Sequence, residues 1–490
     1  MGRTKRRDVV RFRGRDRNGG RSLSAYPIRG SASPPKRILG QAPRAALSAF
    51  LLAACFGARG EGEELPLTEE VLLLTPEVGI RLAMEHNESL LMAQSEQGKS
   101  LERVREVRAE GLPQLIASVD YTRNWLLPSF VFDDRTFMAG SDNNVVGTLR
   151  LTQPLYGGGA LWASLKAAHL NVVFEEEVAR GVRQSVTAQI EGAFDDYLLA
   201  RELERLSLHV LRRARSNLAQ VAVLRRTGRA AEYDLLRAQV EVSTGVSDSI
   251  DVHNDLQIAE IQLKDVIGLD LEQPVMIAAE FRETSHLDLD NLKGLLQLGT
   301  TRRPEIRQLD QLVAVGRRGI QIAKAEGRPT LDLVSGGQMQ FQGDEFTLSN
   351  EEWRRSWSTG IRLEAPLFDG MRTSALAARA KLEVRRLELD RERLERSVQR
   401  EVRQAWLNFN AASGRVSARR RTVEQATKGL QVAESRYRSG LGTQLEILDA
   451  QLVLARAETD FATARRDRAR RLEEVELAAG VLGESPSSGG

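Results

Sequence analysis

The sequence predicts a mainly α protein with a membrane β-barrel contribution, built from two tandem helix–strand–strand–long-helix repeats. Three observations predict it: an internal repeat at an offset of 212 residues, segments of period two with one apolar and one polar face, and two very long Pro-free stretches with apolar residues spaced by threes and fours. At 490 residues, 41% hydrophobic and 28% charged, the chain is neither disordered nor a polytopic helical membrane protein. Its single Cys excludes a disulfide framework and a Cys-based zinc site.

Charge is distributed unevenly. Residues 1–44 hold thirteen Lys/Arg against Asp8 and Asp16, a net +11; with the whole chain at +3, the remaining 446 residues carry −8. The body is therefore acidic, and nucleic acid is not an expected partner. After the basic stretch, Ala45–Ala54 is small and apolar, ending Leu52-Ala53-Ala54-Cys55. This is the charge, length and end of a secretory signal, too short to cross a bilayer. Cys55 stands where a lipobox places its lipidated residue; an ordinary signal cleaved near Ala58 is the alternative. The basic run ahead of the apolar core is unusually long, which fits an over-extended start. Residues 1–54 are read as leader and 55–70 as a linker.

The repeat is read from matched landmarks. Pro154-Leu155-Tyr156-Gly157-Gly158 returns as Pro366-Leu367-Phe368-Asp369-Gly370, and Arg226-Thr227-Gly228 as Arg438-Ser439-Gly440. Between them Val182, Val186, Ile190, Phe194 and Tyr197 map onto Leu394, Val398, Val402, Trp406 and Phe409. This sets repeat 1 at 71–269, a connecting segment at 270–298, repeat 2 at 299–483 and a C-terminal tail at 484–490.

Each repeat opens with a helix. Thr75-Pro76 gives a cap and a first-position Pro, and the helix runs to Gly111-Leu112-Pro113; the second half does the same from Pro304 to Gly327. Alternation then predicts strands at 115–125, 145–155, 331–341 and 357–367, each the length that crosses a bilayer when tilted. Trp125, Phe130, Phe132, Phe341, Phe346, Trp353 and Trp357 crowd their far ends as an interfacial girdle would. The turns Pro154, Gly157, Gly158 and Pro366, Asp369, Gly370 pass from strand to helix. The stretches 160–226 and 371–438 follow, each roughly 100 Å of helix at 1.5 Å per residue. Each breaks at a Gly-containing tip, near 228 or near 440, and returns as a shorter helix to Gly268 or Gly480.

Four membrane-length strands leave two open edges, which lipid cannot satisfy, and are too few to close a barrel. Several copies must share one barrel, eight strands in a dimer or twelve in a trimer, with polar faces lining a wet lumen. An exported coiled-coil scaffold or adaptor protein without a pore is the competing class; it explains the helices but not the strands.

With the repeats, the two Pro-containing turns and the tips in place, the chain resembles the TolC-like outer-membrane efflux family over about residues 70–483. The second tip, Tyr437-x-x-Gly440 followed by Leu445, Leu448, Asp449, Ala450 and Gln451, is the most similar part. The resemblance implies a homotrimer with a 12-stranded barrel on an α-helical periplasmic tunnel, docked to a periplasmic adaptor and an inner-membrane pump or ABC transporter, and bathed in outer-membrane lipid. It places Arg226, Thr227, Gly228, Arg438, Ser439, Gly440, Leu441 and Gly442 at the adaptor contact, with Asp234, Glu446 and Asp449 as candidate acids at the tunnel mouth. Arg225, Arg226 and Arg229 make the first tip unusually basic for such a protein.

No catalytic residue, metal site or cofactor is expected. Ala93-x4-Gly98-Lys99-Ser100 fits a permissive phosphate-loop pattern, yet lies inside a helical stretch with no strand ahead of it. The five His (86, 169, 209, 253 and 286) are scattered without metal-ligand spacing.

Overall fold

The computed structural model describes residues 72–132, 135–345 and 353–483. The chain divides into Met1–Leu67 and Thr68–Gly490, and all described residues belong to the second unit. Cys55 with the leader, Phe346 and the tail 484–490 lie outside them.

In chain order the first repeat comprises β1 (Leu72–Leu74), α1 (Pro76–His86), α2 (Glu88–Ala109), β2 (Gln114–Arg123), β3 (Ser129–Phe132), β4 (Arg135–Met138), β5 (Asn143–Gly157), α3 (Ala160–Arg226) and α4 (Glu232–Ile267). Then come β6 (Val275–Ile277), α5 (Leu292–Arg302), α6 (Pro304–Ala325), β7 (Thr330–Gly343), β8 (Arg354–Glu364), α7 (Arg372–Arg438) and α8 (Gln444–Ala479). The long helices α3 and α7 have 67 residues each, and the returning α4 and α8 have 36 each. Among the described residues no helix is long and apolar enough to cross a membrane.

Local chemistry sets the helix ends. Thr75 Oγ1 accepts from the Val78 N–H at 3.3 Å, with Pro76 in the first turn. The opening helix expected to run unbroken from Pro76 to Gly111 is two helices. Asn87 leaves the helical region (φ −70°, ψ 122°), and its Oδ1 accepts from the N–H groups of Ser89 and Leu90 to start α2. Its Nδ2 donates to Val266 O at 2.9 Å, so the break is fixed by a distant element and not by local sequence. In the second half α5 is the counterpart of α1. It begins at Leu292, inside the segment 270–298 read as a connector.

β2, β5, β7 and β8 form one antiparallel sheet in that order. Rows across the ladder confirm the two faces. Ala117, Leu149, Gly337 and Trp357 are successive partners, as are Val119, Gly147, Met339 and Arg355; Ser118, Thr148, Gln338 and Ser356 make a row on the opposite side. Ser118 and Thr148 hydroxyls hydrogen-bond at 2.7 Å there.

Three strand expectations are corrected. The first strand ends at Arg123, because the chain turns into the short β3–β4 hairpin, which the pattern did not indicate. The last strand runs Arg354–Glu364 rather than 357–367. Its partner β7 begins at Thr330, opposite Glu364, so beyond that point the ladder has no acceptor, and Leu367 and Phe368 are exposed. Phe341 is not an exposed girdle residue; it is fully buried, its ring centroid 5.9 Å from that of Trp353.

The two repeats build matching cores. Val186, Ile190 and Phe194 of α3 pack with Leu74, Ala83, Leu263 and Ile267, while Val398, Val402 and Phe409 of α7 pack with Leu295, Ile306, Leu472 and Val475. Trp406, the repeat counterpart of Phe194, stays partly buried because its Nε1–H donates to Leu289 O at 2.8 Å.

Candidate functional site

Two regions hold the residues singled out from sequence, and a third emerges only in three dimensions.

At the sheet-to-helix turns, the ladder slips between Pro154 and Tyr156, leaving Leu155 unpaired. Pro has no N–H to give a central strand, so a bulge forms there and bends the chain toward the helix. Gly158 follows at φ +64°; a Cβ there would come within 2.7 Å of Ala325 O. The second turn is built differently. Gly370 (φ +62°) is in open space, and Asp369 Oδ2 accepts from the Thr373 N–H at 2.8 Å to start α7. Pro366 lies past the end of β8 and makes no bulge.

At the first tip Arg226 is the last residue of α3, Thr227 Oγ1 donates to Leu224 O at 2.9 Å, and Gly228 closes the helix at φ +75°. The following Arg229 N–H donates to Leu224 O at 2.8 Å. This is a left-handed helix stop. Arg225 is paired with Glu232 at 3.2 Å, which leaves Arg226 and Arg229 as the tip's cations without an ion pair among the described residues.

The second tip repeats the stop. Arg438 ends α7, Ser439 Oγ donates to Ser435 O at 2.8 Å, and Gly440 takes φ +70°. Leu441 is three-quarters exposed. Gly442 is closely packed: a Cβ would meet Tyr437 N and Arg436 Cβ at 3.1 Å, tighter than an ordinary contact. The second tip is tied to the shaft of α3, where Gln444 Nε2 donates to Asn217 Oδ1 at 3.2 Å.

The acids considered for the tunnel mouth are partly committed elsewhere. Asp234 Oδ2 accepts from the Ala231 N–H at 3.1 Å and so caps α4. Glu446 pairs with Arg436 at 3.4 Å, and its N–H is capped by Thr443. Asp449 is exposed. The Ala93–Ser100 stretch lies wholly within α2, with Lys99 paired to Glu96, so no phosphate cradle forms there.

The third region joins the repeats. Glu191 and Asp195 of α3 meet Glu473 and Glu476 of α8, with Arg282 and Ser285 entering from the linker before α5. Arg282 bridges Glu191 (3.0 Å) and Glu476, and the Ser285 hydroxyl donates to Glu476. Burial pushes Glu191 up to about 7, partly opposed by Arg282. Burial raises both Asp195 and Glu473; the Asp195 charge raises Glu473 further, while the proton shared from Glu473 partly offsets the rise of Asp195. Four acids, two of them bridged by Arg282, form a polar knot inside the helix bundle, with Arg466 acting on Asp195 from its edge. Sequence reasoning missed it; the one signal available was that Glu191 and Asp195 interrupt the apolar stripe Val186–Ile190–Phe194 of α3.

An antiparallel sheet of membrane length, one face apolar and one polar, carried on two helical hairpins of unusual length, defines an outer-membrane duct. The comparisons agree. Residues 79–269 and 295–481 match the model of the outer membrane efflux protein family. Alkaline protease secretion protein AprF of Pseudomonas aeruginosa is 23% identical over 427 residues, covering 86% of this chain and 87% of that protein. Outer membrane protein TolC of Vibrio cholerae is 22% identical, covering 82% and 90%. A crystal structure of a membrane protein from Pseudomonas aeruginosa superposes with a TM-score of 0.67 at 22% identity, covering 83% of this chain and 93% of that one.

The chain belongs to the outer membrane efflux protein family. It is an outer-membrane channel with a periplasmic extension, an exit duct for efflux or secretion.

Proposed function

We propose that three copies join their sheets edge to edge into one 12-stranded barrel, and that their helices continue it as a periplasmic tunnel. The observation that carries this reading is the pair of open edges. β2 and β8 are the outer strands of the sheet, and all of their residues are exposed in the single chain. Edge N–H and C=O groups left in hydrocarbon would each cost several kcal/mol, so β8 of one copy pairs with β2 of the next. The Ser118–Thr148–Gln338–Ser356 row then faces the water-filled lumen.

The tips around Gly228 and Gly440 contact a periplasmic adaptor, which couples the duct to an inner-membrane pump or ABC transporter. The duct is passive, without catalytic chemistry or cofactor. Asp449 is the acid best placed to act at the entrance, since Asp234 and Glu446 are engaged in caps and an ion pair. The test is the oligomer: detergent-purified protein should have the mass of three chains, show heat-modifiable migration and conduct in planar bilayers. A monomer without conductance would overturn the reading.

A further inference from the structure

The apolar face of the sheet is not smooth. Gly147 and Gly337 open a hollow of about 540 Å³ across all four strands, walled by Val119, Leu149, Met339 and Trp357. Trp357 lies over Gly337, where a Cβ would come within 2.7 Å of the indole, so the glycine is what lets the ring lie flat. Arg355 is the one charged lining residue, one row nearer the loop end than Trp357. Neither Arg355 nor Arg123, at the loop end of β2 on the same face, has an ion pair among the described residues; Arg123 instead lies 4.7 Å from the exposed Trp125 ring.

We propose that this hollow and its rim bind an anionic lipid of the outer leaflet, an acyl chain lying in the hollow and a phosphate of the head group meeting Arg355. The inference rests on the proposed barrel, in which this face meets lipid and the strands' loop ends point away from the periplasm. Two features commit the site to a phosphorylated lipid rather than to a protein. A guanidinium on a largely apolar face, without an ion pair among the described residues, is costly in hydrocarbon unless it reaches an anion at the interface, and the charge sought there is negative. The flanking Trp125 and Trp357 are residues that settle at head-group depth. Closure of the barrel sets β8 of one copy beside β2 of the next, bringing the Arg355 and Arg123 strands to the two sides of each junction. Leu126, ahead of the β3–β4 hairpin, and Val131 on β3 add apolar cover, both highly exposed.

The full-length oligomer, reconstituted in phosphatidylcholine nanodiscs doped with diphosphoryl lipid A and re-extracted in mild detergent, tests this by native mass spectrometry. Wild type should retain lipid A over phosphatidylcholine. Arg355→Gln should lose at least about fivefold of it, and Arg355→Lys, which keeps the charge, should retain most. Equal retention by wild type and Arg355→Gln, or no preference over phosphatidylcholine, overturns the proposal. So does a rise in conductance in Trp125→Ser with lipid retention unchanged, which would assign the hairpin base to the channel mouth. Wild-type conductance in the same lipids reports separately on the duct.

Discussion

Asp195 on α3 faces Glu473 on α8 with both side chains buried, so the two repeats meet at a pair of carboxyls that burial pushes toward the protonated form. Glu191, one turn away, is held up at about 7 by the same burial. A group whose folded pKa is raised contributes stability that is fully present below its unfolded pKa, near 4.5 for Glu, and lost as pH rises through the folded value. Thermal midpoints of the oligomer should therefore fall between pH 5 and pH 8.5. Glu473→Gln retains a donor toward Asp195 without an ionisable proton, and should flatten that slope and raise the midpoint at pH 8.5 by a few degrees, on the order expected for about 1 kcal/mol. An unchanged slope would mean the pair is already open to water.

Arg282 is the cation that bridges two acids of the same knot. Arg282→Met leaves Glu191 and Glu476 facing each other without their bridge. Loss of one partner of a buried pair costs about 3–5 kcal/mol; with the guanidinium about a third exposed, solvent screening discounts this to about 2–3 kcal/mol. Urea midpoints at pH 8 measure it. Because the surviving acids can then bind protons, the loss should shrink at pH 5.

The two tip glycines are required for different reasons, so they should fail differently. Gly440 sits at φ +70° in open space, and Gly440→Val costs backbone strain alone, about 1–2 kcal/mol. Gly440→Asn, which tolerates that region, should restore function. Gly442 has no such torsion but is hemmed in by Tyr437 and Arg436, so Asn should not rescue it. Substrate export should drop at least about tenfold in both Val variants while barrel assembly is kept. Unchanged export would remove the tips from the adaptor contact.

Adjacent residues of β5 provide a test of facing. Leu149→Arg puts a charge on the apolar side near mid-strand, which costs about 2–4 kcal/mol in a bilayer, and should reduce heat-modifiable oligomer. Thr148→Arg, on the other face, should assemble normally and shift ion selectivity toward anions. If the two behave alike, the sheet does not separate lipid from lumen.

Much of this architecture was legible because it is periodic. Helix stripes and strand alternation repeat over many residues, and an offset of 212 let each half check the other; the tips and the 67-residue helices were read to within a residue or two. What was not legible depended on distant partners. The break at Asn87 is held by Val266, the end of β8 is set by where β7 begins, and the acid knot assembles from residues nearly 300 positions apart. The hollow on the sheet arises from two glycines, Gly147 and Gly337, that belong to different repeats and sit in adjacent rows only once the strands pair.

The equal residue counts of α3 and α7, and of α4 and α8, impose a rule on sequence change. Adding one turn to a single shaft would lengthen it by about 5.4 Å while its twin stayed put. The two shafts would then differ in reach, and a partner that meets both tips would meet them unequally. Insertions and deletions in these helices can persist only as matched pairs, so the chain is free to drift in composition but is locked in measure.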